Sequence, residues 1–130
     1  MVKTLPRIRA VLLALLALAG LGASVGAVQP FHFALAKSVP ADKASVHHAP
    51  EVKLWFTEPP SNGTVSIRVL DASGNPVTAG DPAQDKEDPK AFSVAFEGGL
   101  AAGAYTVSWR GMGADGHVVR GDFGFTVAGH

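Results

Sequence analysis

The run Leu100-Ala101-Ala102-Gly103-Ala104-Tyr105-Thr106-Val107-Ser108-Trp109-Arg110 decides the fold class. In its second half Tyr105, Val107 and Trp109 alternate with polar residues, which is the pattern of a strand with one buried face. A tyrosine near the start of such a late strand resembles a tyrosine corner, in which the hydroxyl bonds back to upstream backbone in a β-sandwich. The run therefore predicts a strand of a two-layer β fold.

Working outward, four further stretches show the same alternation of apolar and other residues: 52–56, 65–69, 92–96 and 123–127. Pro, Gly and Asn cluster between them, as turns require. Residues 80–90 are polar, contain two prolines and are predicted to form a loop. No helical period is sustained after residue 37. Roughly seven short strands predict an all-β, Ig-like, antiparallel Greek-key β-sandwich or barrel.

The beginning of the chain has a different character. Lys3, Arg7 and Arg9 precede an almost wholly apolar stretch over residues 10–28, which is the pattern of a secretory signal peptide. Small residues before position 28 predict a signal peptide over 1–27 and a domain over 28–130, with 31 as an alternative end. Cleavage after Ala36 and an uncleaved anchor are further alternatives. No second apolar run follows, so no membrane span is predicted after signal removal.

Composition narrows the possible functions. Three of the eleven basic residues precede position 28, which leaves eight against eleven acidic residues and a formal charge of −3. With no basic patch visible in the sequence, nucleic acid is excluded as a partner. The chain has no cysteine, hence no disulfide and no thiol nucleophile. Neither a Gly-x-Ser-x-Gly elbow nor a phosphate-binding loop is present.

The tripeptide Asp115-Gly116-His117 is the strongest candidate for chemistry. On extended backbone, residues two apart project to the same side, so a carboxylate and an imidazole can converge on one metal ion. His32, at the other end of the predicted domain, is the candidate third ligand. The same tripeptide is also an ordinary solvated turn, and the spacing alone leaves both interpretations open.

Other imidazoles are weaker candidates. His47 and His48 are neighbours in a predicted turn, and adjacent side chains on extended backbone point apart. His130 is the last residue, where chains commonly fray. We interpret all three as surface residues.

Several separated motifs resemble the CopC family of periplasmic copper-resistance proteins. The motifs are residues 38–42, 49–59, 100–110 and 114–127. Their order along the chain is the same as in the family. The resemblance extends from His32 to Val127. It implies an exported Greek-key β-barrel or sandwich that binds copper.

The resemblance also implies a site. In the family, Cu(II) is held by a histidine at the start of the mature protein and by the Asp and His of the closing motif, which correspond here to His32, Asp115 and His117. About one Cu(II) per chain is expected, bound by a nitrogen and oxygen donor set that suits this ion. The amine of His32 joins the site only if cleavage follows Phe31, and cleavage after Ala36 removes His32. The methionine-rich Cu(I) loop of some members is absent.

The resulting hypothesis is a periplasmic copper carrier or buffer in copper homeostasis or resistance, and not an enzyme. An inner-membrane copper transporter or another periplasmic copper protein is the expected partner. Two alternatives remain: a metal-free Ig-like assembly or adhesion module, and an oxidative copper enzyme, for which the chain shows no flat aromatic substrate face.

Overall fold

A computed structural model describes residues 32–129 of the chain. The predicted signal peptide and both of its proposed ends lie outside the described residues, as does His130. The elements are β1 (Leu35–Val39), β2 (Ser45–Val46), β3 (Glu51–Phe56), β4 (Ser66–Leu70), β5 (Ala83–Gln84), β6 (Ala91–Ala95), β7 (Gly103–Met112) and β8 (Val118–Val127). Between residues 32 and 129 every regular element is a strand, and no helix there could cross a bilayer.

The strands form two four-stranded sheets, ordered β1-β3-β6-β5 and β2-β8-β7-β4. Pairing is antiparallel throughout except that the two-residue β2 lies parallel to β8. The predicted all-β sandwich is confirmed. There are eight strands where about seven were expected, and two of the eight, β2 and β5, are only two residues long.

The core lies between the two sheets, where the inward residues of each strand meet. Val52, Leu54 and Phe56 of β3 are 0–1% exposed. The Phe56 ring lies 5.6 Å from the Trp109 ring of β7, so the two sheets are in contact at this point. Burial of one such aromatic ring contributes roughly 2–3 kcal/mol. Trp109 is thus a core residue at 7% exposure.

The tyrosine corner is confirmed. The Tyr105 hydroxyl donates a 2.6 Å hydrogen bond to the carbonyl of Ala101, four residues upstream. Tyr105 also stacks on Phe125 of β8, with ring centroids 5.6 Å apart. This residue therefore ties the turn before β7 to the core.

Two segments differ from their predictions. The polar loop at 80–90 contains β5, and Asp85 organises it by pairing with Lys53 Nζ at 2.6 Å and accepting the Glu87 amide at 2.8 Å. β1 was not predicted as a strand, since its five residues do not alternate between apolar and polar side chains. Its pairing with β3 has a register shift between Leu35 and Lys37. Backbone pairing with β3, rather than side-chain pattern, forms it.

Candidate metal centre

The hairpin between β7 and β8 carries two of the predicted ligands. These ten-residue strands pair from Gly103↔Val127 to Met112↔Val118, so the loop between them is held at a fixed end of the sheet. The Gly116 amide donates to the Gly113 carbonyl at 3.1 Å, which closes a tight turn. Gly116 has a φ of 82°, a conformation that glycine adopts without steric cost.

The structure brings Asp115 and His117 together. Asp115 Oδ1 accepts the His117 amide at 3.1 Å, and Asp115 Oδ2 lies 3.0 Å from His117 Nδ1. The two side chains are 58% and 84% exposed, respectively. A carboxylate bonded to Nδ1 leaves Nε2 facing solvent, and this is a common arrangement for a metal-binding imidazole.

The same contact shifts both ionisation equilibria. The hydrogen bond with Asp115 raises the pKa of His117 above its ordinary 6.5, and the carboxylate charge adds to this effect. In return, the hydrogen bonds from the His117 side chain and amide lower the pKa of Asp115 below 3.8. Each partner therefore favours the charged form of the other.

The start of the described chain is attached next to this hairpin. Thr57 Oγ1 donates to the His32 carbonyl at 2.9 Å and accepts the Ala34 amide at 3.0 Å. Phe33, between them, is 5% exposed and stacks on Phe56 with ring centroids 4.9 Å apart. His32 itself is exposed.

Phe33 also packs directly on the end of β7 and the loop. A Cβ atom placed on Gly111 would lie 2.7 Å from Phe33 Cζ, and one placed on Gly113 would lie 2.9 Å from Phe33 Cβ. Both positions therefore need glycine. Because Phe33 follows His32 in the chain, this packing holds the His32 backbone near the loop that carries Asp115.

Glu58 is a component that the sequence analysis missed. Its Oε1 accepts the Ala114 amide at 3.2 Å, and it would lie 2.8 Å from a Cβ on Gly113. Glu58 thus places a second carboxylate beside the loop and holds the loop backbone through the Ala114 amide. Only its position at the end of the 49–59 motif could have drawn attention to it, since no spacing connects it with Asp115.

The structure does not gather a complete ligand set. Among residues 32–129, no group of three His, Cys, Asp or Glu side chains converges as a metal site. Asp115 and His117 are together, and the His32 backbone is held near their loop, but the His32 imidazole is not assembled with them. The three-ligand assignment remains a prediction. His47 and His48 are exposed between β2 and β3.

Fold and hairpin together define a class: a small β-sandwich that presents an imidazole and a carboxylate at one end. The model of the CopC domain family matches residues 35–128, and the chain belongs to this family. The match includes Asp115 and His117 and begins three residues after His32.

Solved structures and relatives agree with this assignment. CopC from Methylosinus trichosporium OB3b is 31% identical, with a TM-score of 0.69 and coverage of 76% of this chain and 96% of that one. PcoC, a methionine-rich copper resistance protein from Escherichia coli, is 29% identical, with a TM-score of 0.67 and coverage of 74% and 98%. The copper transport protein CutJ of Bacillus subtilis is 28% identical over 97 residues, which are 74% of this chain but only 18% of CutJ.

Proposed function

We propose that this chain is an exported, periplasmic copper-binding protein that holds about one Cu(II) through His32, Asp115 and His117. It acts as a carrier or buffer in copper homeostasis or resistance, and its role is binding and transfer, not catalysis. The observation that carries the proposal is the Asp115–His117 pair, 3.0 Å apart on a loop against which Phe33 packs.

The donor chemistry supports Cu(II). Neutral imidazole and carboxylate form the nitrogen and oxygen set that Cu(II) prefers, and Cu(II) is at the top of the divalent affinity order. A carboxylate has about four lone-pair sites, so the two bonds from His117 leave Asp115 able to bind a metal. The sequence contains two methionines, Met1 and Met112, so a thioether-rich Cu(I) site cannot form.

The position of the first described residues supports His32 as the third donor. Its carbonyl is held by Thr57 and its neighbour Phe33 is buried, whereas its own side chain is exposed. Rotation of one exposed side chain about its own χ angles costs little free energy compared with refolding a loop. Binding of copper would then complete a site that is partly assembled beforehand.

The named relatives support a role in copper handling. PcoC is called a copper resistance protein and CutJ a copper transport protein. The chain spans less than a fifth of CutJ, so transport belongs to that longer protein. For this chain we propose delivery to a separate receiver, an inner-membrane copper transporter or another periplasmic copper protein.

Copper titration of the His117→Ala variant tests the site. By isothermal titration calorimetry we expect one tight Cu(II) site in the wild type. We expect His117→Ala to weaken it by about a hundredfold or more, since loss of a partner outside the ligand shell can already cost up to that much. His47→Ala is the matched control, because it removes an exposed imidazole away from the loop and should leave the affinity unchanged. Equal affinities for wild type and His117→Ala would remove the site assignment.

A further inference from the structure

Three arginines from distant parts of the chain meet on the outer surface of the β2-β8-β7-β4 sheet. Strand pairing places them in two neighbouring rows: Ser66, Arg110 and Arg120 in one, and Arg68, Ser108 and Asp122 in the next. We call these six residues the arginine face. Adjacent strands are about 4.8 Å apart, so the three guanidinium groups share a small area.

These arginines have no ionic partner within the part of the chain that the structure describes. Both ion pairs found there involve other residues, Lys53 with Asp85 and His117 with Asp115. Asp122 is the single acidic member of the face and forms an ion pair with none of the arginines. Arg68, Arg110 and Arg120 are all exposed, and their donors are therefore available to a ligand.

The arrangement is unfavourable for the isolated protein. Arg110 and Arg120 are directly opposite each other on β7 and β8, where like charges destabilise a sheet. The domain over 28–130 has a formal charge of −3, yet all three of its arginines lie on this one face. The sequence showed no basic patch because positions 68, 110 and 120 are far apart in the chain. A concentration of charge that does not serve folding points to a binding surface.

The face also has the shape and donors of a recognition surface. A shallow depression of about 330 Å³ is lined by Ser66, Arg68, Ser108, Trp109, Arg110 and Arg120. Guanidinium groups bind carboxylates through two parallel hydrogen bonds, and serine hydroxyls add donors between them. The depression is therefore suited to two or three carboxylates on one short segment.

We propose that the arginine face docks a carboxylate-rich segment of a protein partner. The identification of that partner as the receiver of copper rests on the proposed function. A receiver that presents two or three carboxylates on one surface segment would be complementary to these arginines. The face is limited to three arginines in two neighbouring rows, which matches a short acidic segment better than the extended anionic surface of a membrane or a nucleic acid.

The location of the face suits transfer. Arg120 follows His117 by three residues along β8, which is about 10 Å of extended chain. Arg110 is two residues from Met112, the last residue of β7 before the loop. A segment bound on this face would hold its protein beside Asp115 and His117.

Binding of hexaglutamate to the copper-free, ¹⁵N-labelled protein tests the proposal by NMR. At low ionic strength we expect the peptide to shift the amides of residues 66–68, 108–110 and 120–122, and we expect added NaCl to weaken the effect. The double variant Arg110→Gln/Arg120→Gln should bind about fivefold more weakly, since each exposed ion pair contributes little. Lys86→Gln/Lys90→Gln removes the same charge from another surface and should bind as the wild type does.

The melting temperature of the double variant shows whether weaker peptide binding comes from lost recognition or from unfolding. Because the arginine substitutions relieve like-charge repulsion, the melting temperature of the double variant should be equal to or higher than that of the wild type. Cu(II) affinity of the variant should stay within about threefold, since the charges are exposed and screened. If the wild type binds no copper, the proposed function fails while the peptide result remains valid.

Four outcomes overturn the proposal. They are an absence of shifts on this face, equal peptide binding by the double variant, tighter binding of inorganic phosphate or of phosphatidylglycerol vesicles than of hexaglutamate, and concentration-dependent shifts of the same amides without peptide. The last would identify a second copy of this chain as the occupant.

Discussion

Gly113 shows how one residue connects the beginning of the domain with the candidate metal centre. Phe33, Glu58 and Asp115 all approach the space that a side chain at this position would fill, at 2.9, 2.8 and 3.4 Å from a Cβ atom. A glycine here allows the segment before β1, the segment after β3 and the hairpin loop to meet. These three parts of the candidate centre therefore come together at Gly113.

Replacement of Gly113 by Ala should therefore disturb both stability and copper binding. The added methyl group forces Phe33 or Glu58 to move, and overpacking of this kind typically costs about 1–3 kcal/mol. Urea unfolding and copper titration of the same sample measure the two effects. Gly80→Ala is the control, since nothing lies within 4 Å of a Cβ there. Unchanged stability and affinity in Gly113→Ala would contradict the packing account.

The hydrogen bond between His117 and Asp115 sets the pH dependence of copper binding. Copper requires the neutral imidazole, and the pKa of His117 is raised above 6.5, so proton competition begins at a higher pH than for a free histidine. Affinity should fall by up to about tenfold per pH unit for each ligand that is protonated. Competition titrations at several pH values between 8 and 5 measure this. A constant affinity between pH 8 and 6 would argue against His117 as a ligand.

In the copper-free protein, the hydrogen bond between His117 and Asp115 makes folding more stable at low pH, whereas copper binding is stronger at high pH. A raised histidine pKa contributes stability that is fully present below 6.5, the unfolded value, and is lost as pH rises through the folded pKa. The apo protein and the copper complex should therefore respond to pH with opposite signs in this range. Thermal melts of both forms show the difference.

Among the elements, β7 and β8 are the longest strands and form the most extensive pairing in the described structure. They pair along their whole length, contribute six of the buried core side chains (Tyr105, Val107, Trp109, Phe123, Phe125 and Val127) and hold the loop at their end. Their alternation was readable from sequence, and so was the tyrosine corner before β7. The corner anchors β7 at the end opposite the loop.

Tyr105→Phe tests the corner. The change removes only the hydroxyl that bonds to the Ala101 carbonyl at 2.6 Å. We expect a loss of about 1 kcal/mol in the free energy of unfolding, the typical net value of one intramolecular hydrogen bond. Copper affinity should not change, since the corner is far along β7 from the loop. Denaturant titration with full stability in the variant would show that the hydroxyl does not stabilise the fold.

Elements without side-chain periodicity were the ones that the sequence did not reveal. β2 and β5 are two residues long, too short for any period to appear. β1 has a register shift in its pairing with β3, and this backbone pairing is what makes the segment a strand. The loop at 80–90 owes its structure to Asp85, whose bonds to Lys53 and to nearby amides leave no pattern in the sequence.

At the scale of the whole molecule, the sequence predicted the sandwich and the Asp115–His117 pair but not what the two sheets bring together. Glu58 reaches the loop from the segment after β3, and the arginine face combines β4, β7 and β8. Such groupings depend on strand order and register, which periodicity does not determine. The predicted signal peptide lies outside the described residues. His32 as a ligand is a proposal that depends on where the predicted cleavage falls.

Native mass spectrometry of the protein isolated from the periplasm of expressing cells, with and without Cu(II), tests the central claim most directly. One spectrum gives the first residue of the chain and the number of copper ions bound. We expect a chain that begins at or before His32 and carries one copper. A chain that begins after His32 and still binds one copper tightly, or one that retains His32 and binds none, would contradict the account.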